Sequence, residues 1–415
     1  MQGSPTILQI IPRLDTGGAE ISTIETTEAV VRAGGRMIVL SEGGRLAPEI
    51  KRAGGELIEF PAATKNPVQI LANSRYIAAL VAQHDVDLLH ARSRAPAWSA
   101  LMAAKRTGKP LVTTYHGAYN RVGPLKNAYN SVMARGDLVV ANSEFTARLI
   151  QEHHQVPAGR VRVIHRGVDL ARFDPAAISA GRIAALRTAW GLAENQRVIL
   201  HAARLTGWKG QRVLIDAVAR LEAEGGLHDA VVIMAGDAQG RDGYTEELHS
   251  RIADVRLEDK VRLVGHCADI AAAYRLADVT VVASTEPEAF GRSVAEALAM
   301  GCPVIATDLG APPEILRMGS NTASADERLE TESSLRANFG WLVEPGDAAA
   351  LAGRLGAALA ISTSERDVAG RATRAHVAAY FSSEAMKRAK LAVYDELLGT
   401  HLLAAFELKS VSRQS

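Results

Sequence analysis

Two cysteines in 415 residues, Cys267 and Cys302, are too few for a disulfide framework, and no four metal-ligand side chains cluster at zinc spacing. No apolar run reaches the length of a membrane span, and the five-residue stretch Ile7–Ile11 is too short for a signal-peptide core. An excess of one charge is missing too: 47 Lys+Arg stand against 46 Asp+Glu, which excludes a uniformly basic nucleic-acid binder. Neither half carries Gly-x-Gly-x-x-Gly at its first strand–helix turn, and the P-loop and Gly-x-Ser-x-Gly patterns are absent throughout. Dinucleotide, P-loop and α/β-hydrolase chemistry are therefore unsupported. A reducing cytoplasm is the expected setting, with any membrane association peripheral.

What the chain does have is an ordinary globular composition, 47% hydrophobic and 22% charged. Its length exceeds the roughly 250–300 residues at which single cores stop growing, so two domains are expected. Short β-rich runs alternate with helical patterns: Ile7–Ile11, Arg36–Leu40, Glu56–Phe60, Leu88–His90, Pro110–Tyr115 and Leu138–Ala141. A second series follows a loop near Gly167–Ala176: Arg197–Ala202, Val231–Ala235, Val261–Val264, Val279–Ala283, Pro303–Ala306 and Trp341–Val343. Continuous apolar strands separated by helices imply buried parallel sheets. The expected fold class is thus α/β, with two Rossmann-like doubly wound domains facing a cleft. The expected boundaries are 1–170 and 171–380, with helices at about 381–400 returning to the first domain and 401–415 a tail. The polar stretch Arg317–Asn338 reads as a surface insertion. Asp85-Val86-Asp87 has the form of a metal-binding Asp-x-Asp, yet with no further carboxylates nearby it reads as the start of a strand.

Four constellations carry chemistry. After the strand Val279–Ala283, Glu288 stays in a loop, Phe290-Gly291 lead into a helix at Arg292, and Glu296 lies about one turn into it. A helix start at the carboxyl end of a parallel strand suits a phosphate, and two carboxylates eight residues apart can each hold hydroxyls. Taken alone, two such glutamates are as readily a cap and a solvated side chain. At the first turn of the second half, Arg204 and Lys209 lie five apart in a Gly-rich turn and can neutralise a diphosphate. In the first half, Gly17-Gly18 precede a helix and let backbone approach a ligand closely. His116 ends the apolar strand Pro110–Tyr115.

Together these residues resemble the retaining GT-B glycosyltransferases of family 4. The stretch from Glu286 to Ala306, with Pro287, Phe290, Gly291, Gly301 and Pro303, is similar to that family's Glu-x7-Glu unit. His201–Gly210 is similar to its Gly-Arg-Leu-x-x-x-Lys-Gly turn, with Ala203 in place of the first glycine. The Val163–Asp169 segment is similar to its Asn-Gly-Val-Asp segment, with His165-Arg166 replacing the usual Pro-Asn. The resemblance implies Glu288 and Glu296 on donor sugar and ribose, Arg204 and Lys209 on the diphosphate, and Gly17 and Gly18 near the donor phosphates. It implies Gly265-His266 near the base, amides at Phe290, Gly291 and Arg292 on phosphate, and His116 as a substrate contact rather than a base. It further implies a nucleotide-sugar donor, UDP- or GDP-linked, retention, and no metal or other cofactor. Substitution at Glu288 or Lys209 is expected to abolish transfer with little change in thermal midpoint.

The acceptor is addressed by charge. Leu88–Gly136 contains no Asp or Glu and eight cations, among them Arg92, Arg94 and Arg121, interleaved with aromatics such as Tyr119. Up to His165 there are 19 basic and 13 acidic residues, and beyond it 28 and 33. The basic first domain is expected to attract an anionic partner: a glycan or lipid-linked acceptor, with peripheral contact to an anionic inner-membrane surface, rather than nucleic acid. Three rivals stay open: a soluble small-molecule acceptor, a GT-B sugar-nucleotide epimerase, which needs acid/base carboxylates, and a silent binding subunit, which has no reason to keep Glu288 and Lys209.

Overall fold

The computed structural model describes residues 4–15, 17–117, 119, 123–317 and 340–411. Arg121 and the insertion beyond Arg317 lie outside the described residues. The chain forms two compact units, Met1–Gly167 with Ser383–Ser415, and Val168–Ser382.

The first unit is built on seven strands: β1 (Thr6–Ile10), β2 (Arg36–Ser41), β3 (Glu56–Glu59), β4 (Leu88–Ala91), β5 (Leu111–Tyr115), β6 (Leu138–Ala141) and β7 (Val161–Val163), in spatial order β3-β2-β1-β4-β5-β6-β7. The second has six: β8 (Val198–Ala202), β9 (Val231–Ala235), β10 (Val261–Gly265), β11 (Val279–Val282), β12 (Val304–Thr307) and β13 (Trp341–Val343), in order β10-β9-β8-β11-β12-β13. Every strand pair is parallel. Central strands such as β1, β5 and β9 are buried along their whole length, as sheets covered by helices on both faces require. Each sheet is doubly wound, and the strand order reverses between β1 and β4 and between β8 and β11. Ligands in such sheets bind outside the carboxyl ends of the strands at these reversals. The loops that leave β1, β8 and β11 carry the glycine pair, the Arg204–Lys209 turn and the Glu288 loop.

Strand β7 is absent from the sequence-derived expectation. It is a three-residue edge strand with Arg162 at its centre, so it lacks the apolar run that marks its neighbours. The Asp85–Asp87 turn is a strand start, since Asp87 accepts the Thr6 amide at 2.9 Å and lies 3.6 Å from the Lys109 ammonium.

The chain returns to the first unit at helix Ser383–Leu398, which lies against helix Gly18–Arg32. Arg32 makes a two-pronged contact to Glu384 at 3.3 and 3.0 Å, Lys387 reaches Glu28 at 2.8 Å, and buried Lys390 donates to the Ser22 and Thr26 hydroxyls. The expected tail from 401 is instead helical over Leu402–Val411. Asp395 caps it from the preceding helix, accepting the amides of Leu402 at 2.8 Å and Leu403 at 2.9 Å. Leu402 and Phe406, one turn apart, are buried, and the Arg32 guanidinium stacks on the Phe406 ring at 3.9 Å. No helix among the described residues is long and apolar enough to cross a membrane.

Candidate functional site

The three helices that follow the motifs share one local feature. Helices Gly18–Arg32, Gln211–Ala223 and Arg292–Ala299 begin on Gly17, Gly210 and Gly291, and no side chain among the described residues caps any of them. Five helices elsewhere start on Asn66, Ser143, Ser179, Asp347 and Ser362 with a capping side-chain oxygen, while those at Leu46, Ser93, Gly123 and Arg241 also lack one. Without a capping oxygen, the positive end of the helix is left for an anion.

In the second unit, Ala202 at the end of β8 leads into the turn. Gly210 has φ +77°, and a Cβ there would lie 1.8 Å from the Ala283 carbonyl oxygen at the end of β11. A Cβ on Gly236 would likewise meet the Ala203 carbonyl oxygen at 1.8 Å. The turn is thus pressed against two neighbouring strand ends, and its backbone has one course to follow. Gln211 Nε2 donates to the Arg204 carbonyl at 2.9 Å, and the Thr285 amide donates to the Trp208 carbonyl at 2.7 Å, tying the two loops together.

This close approach brings Lys209 to Glu288. Lys209 Nζ lies 2.7 Å from Glu288 Oε1, and the Ser284 hydroxyl donates to the same oxygen. The ammonium also sits 4.3 Å from the centre of the Trp208 ring. Glu288 is held from behind: the Ala311 amide donates to its carbonyl at 2.9 Å, and a Cβ on Gly310 would lie 2.5 Å from that same oxygen. Arg204, on the same turn, is exposed and makes no side-chain hydrogen bond or ion pair among the described residues. One cation is therefore paired with a carboxylate and the other is unengaged.

Glu296 is buried. Its Oε1 accepts from Arg292 at 3.1 and 2.8 Å, one turn apart on the helix, and the Tyr274 hydroxyl donates to Oε2 at 3.4 Å. The Phe290 ring is buried in the core beside Phe381. Gly265 has φ +69° at the end of β10, its carbonyl accepts the Gly236 amide at 2.8 Å, and His266 beyond it is exposed. Buried His201 on β8 donates from Nδ1 to the Val281 carbonyl at 2.9 Å, and burial pushes its pKa down to about 4.

In the first unit, the Gly17 loop folds over Glu20: a Cβ on Gly17 would meet the Glu20 carboxylate at 2.6 Å. His116 follows β5. Arg166 Nη2 lies 3.4 Å from His116 Nδ1 and 3.4 Å from its carbonyl oxygen. Burial first, then the charges of Arg92, Arg166 and Lys390, hold the His116 pKa well below the usual range. The imidazole is neutral at physiological pH.

The acceptor-side candidates separate. Arg94 donates to Asn130 at 2.8 Å and stacks over Tyr119 at 4.2 Å, with Tyr115 4.3 Å from Tyr119. Arg92, expected with them as an acceptor-side contact, is instead buried inside the unit. Its guanidinium donates to Gln9 at 3.1 Å, Thr26 at 3.4 Å and the Ala19 carbonyl at 3.5 Å. Burial pushes its pKa down to about 10. Residues missed from sequence are Ser284, Tyr274 and Arg166. Ser284, four residues before Glu288, carried a spacing signal; Tyr274 and Arg166 reach their partners only through the fold.

The family model Glycosyltransferase Family 4 matches residues 16–172, and Glycosyl transferases group 1 matches residues 183–376. A solved glycosyltransferase from Rickettsia africae ESF-5 is 34% identical, with 96% of this chain and 100% of that chain covered and a TM-score of 0.84. The Anabaena protein Alr3699/HepE, solved in complex with UDP-glucose, is 25% identical over 94% of this chain and 100% of that chain, TM-score 0.75. Among curated proteins, D-inositol 3-phosphate glycosyltransferase of Geodermatophilus obscurus is 26% identical, covering 97% of this chain and 88% of that protein.

Proposed function

Because the chain belongs to the GT-B glycosyltransferases of the family 4, group 1 type, we propose that it transfers a sugar from a nucleoside-diphosphate donor, UDP-linked in the first instance, to an anionic acceptor with retention of configuration. The observation that carries this reading is the Lys209–Glu288 pair, 2.7 Å apart at the strand-order reversal of the second unit, with the unengaged Arg204 guanidinium on the same turn. The UDP-glucose complex of the Anabaena relative supports the choice of nucleotide.

In this reading Arg204 and Lys209 take the diphosphate, and the uncapped helix start at Gly291 adds its dipole to the same charge. Glu288 orients sugar hydroxyls and Glu296 the ribose. The bond from the anomeric carbon to the phosphate oxygen breaks. The acceptor oxygen bonds to that carbon on the same face, and its proton passes to the departing phosphate oxygen. With two fixed cations to stabilise the leaving diphosphate, no metal is required, and transfer is expected to persist in EDTA.

For the acceptor, the basic stretch Leu88–Gly136 favours a phosphate-bearing molecule, and the main reading is a lipid-linked glycan at an anionic inner-membrane surface. A soluble phosphorylated acceptor is the second reading, favoured by the names of the curated relatives. The experiment has two parts. A thermal-shift panel of UDP, GDP and ADP with their sugars identifies the donor, since a ligand at 100 times its Kd stabilises by about 2.7 kcal/mol. Transfer from that donor is then compared with inositol phosphates in solution and with lipid-linked acceptor in anionic vesicles. No shift with any nucleotide, or product formed without acceptor, overturns the proposal.

A further inference from the structure

Arg166 is one of two residues that depart from the family-like Val163–Asp169 segment, and the proposed function gives it no task. Its Nη2 lies 3.4 Å from His116 Nδ1 and 3.4 Å from the His116 carbonyl oxygen. A guanidinium can only donate. Nδ1 therefore accepts, and in a neutral ring the proton must reside on Nε2. That Nε2 is buried and has no hydrogen-bond partner among the described residues.

The surroundings keep the ring neutral. The charged and titratable groups facing it are Arg92 from the start of the loop after β4, Arg166 from the segment after β7, Lys390 from the returning helix and His90 on β4, and each disfavours a second proton. The Asn142 side-chain amide lies 3.5 Å from the same carbonyl oxygen that Arg166 contacts, so the His116 backbone is fixed from two directions. A buried, unmet N–H is costly, and natural chains keep one where something else will fill it.

We propose that Arg166 is a positioning residue: it holds His116 in the Nε2–H tautomer, leaving that buried N–H to donate to an oxygen of the bound sugar substrate. The proposal rests on the reading of His116 as a substrate contact. It differs from that reading in what it requires of the free protein, where the tautomer is set before any substrate arrives. A neutral, pre-oriented donor meets a hydroxyl oxygen without the ring having to gain or lose a proton.

The test uses the full chain labelled with 15N-histidine. Long-range proton–nitrogen correlations of the His116 ring, assigned by their loss in His116→Asn, report tautomer and charge without substrate. The expected wild-type result is a single tautomer protonated on Nε2 that does not titrate between about pH 5 and 8. Arg166→Gln is expected to show both tautomers and titration inside that window. It is expected to release UDP from UDP-glucose about 10-fold more slowly in kcat, with KM nearly unchanged and a new acid limb in the pH profile. Arg166→Lys, which keeps the charge and one donor, is expected to remove the acid limb. A wild-type proton on Nδ1, or an Arg166→Gln variant with unchanged tautomer and pH profile, overturns the proposal, and the spectrum itself reports whether the variant is folded. A chain with the expected tautomer that leaves UDP-glucose intact supports the positioning and counts against the donor assignment alone.

Discussion

Lys209 Nζ lies 2.7 Å from Glu288 Oε1, with the two side chains only 14% and 11% exposed. An ammonium has three protons, so the one directed at Glu288 leaves two for a phosphate. The carboxylate aims the ammonium, and the ammonium in turn keeps a mostly buried carboxylate matched in charge.

This pairing revises the expectation that substitution at either residue leaves the thermal midpoint untouched. Lys209→Ala and Glu288→Ala should each lower turnover by about 100-fold or more. Each also strands a poorly solvated charge, at a cost of about 1–3 kcal/mol, or roughly 2–4 °C per kcal/mol for a unit of this size. The double variant Lys209→Met/Glu288→Gln should be as inactive yet less destabilised than the two singles together. Steady-state kinetics and differential scanning calorimetry decide; full activity in either single variant removes the pair from the chemistry.

Gly210→Ala should fail for a reason separable from backbone conformation. Gly346 has φ +81° with nothing within 4 Å of where a methyl group would sit, so alanine there carries only the left-handed penalty of about 1 kcal/mol. Gly210, at φ +77°, adds a collision with the Ala283 carbonyl. Urea denaturation should show Gly210→Ala losing at least twice as much stability as Gly346→Ala. Only the former should lose UDP binding.

His201 makes stability depend on pH. Its folded value of about 4 lies below the ordinary 6.5, so the unfolded chain binds the extra proton. The contribution is complete above pH 6.5 and is lost as pH falls toward 4, at about 1.4 kcal/mol per pH unit. His201→Asn, whose amide can still donate to the Val281 carbonyl, should flatten the acid side of the stability profile by one proton's slope. An unchanged slope in chemical denaturation series between those limits sinks the assignment.

Glu296 is engaged by Arg292 and Tyr274 in the free protein. Glu296→Ala should raise the donor KM about 10-fold or more through loss of a charged hydrogen bond to ribose, with a smaller change in kcat. The thermal shift induced by UDP should shrink to match. A full UDP-induced shift in this variant shows that the carboxylate serves its neighbours rather than the nucleotide.

The strands were readable wherever burial on both faces forced an unbroken apolar run. Val231–Ala235 and Leu138–Ala141 begin and end where the sequence places them, as does the apolar edge strand Trp341–Val343, while Val161–Val163, an edge strand interrupted by Arg162, leaves no such trace. The helix at Leu402–Val411 escaped because its cap, Asp395, lies seven residues upstream on another helix, beyond the reach of local capping patterns. Lys209 and Glu288, singled out by chemistry and spacing, come together at 2.7 Å in the fold. Arg92 shows the reverse: charge in a sequence does not say whether water or Gln9 and Thr26 will solvate it.

The buried contacts of Lys390 with Ser22 and Thr26, and of Tyr394 with His90 at 2.6 Å, join residues about 300 or more positions apart. Synthesis runs from one end, so most of the first unit emerges from the ribosome early and yet lacks the helix Ser383–Leu398 until the whole intervening unit has been made. The intervening Val168–Ser382 unit is contiguous in the chain, so all of its residues emerge before that helix does. Until then the hydroxyls of Ser22 and Thr26 lack their Lys390 donor, whereas Thr23 and Thr27 are already turned to Gln9 on β1. The surface that waits longest for its cover thus sets hydroxyls beside an apolar patch, Ala29, Val30 and Ala33, which ends in one core with Met386, Leu391, Leu402 and Phe406.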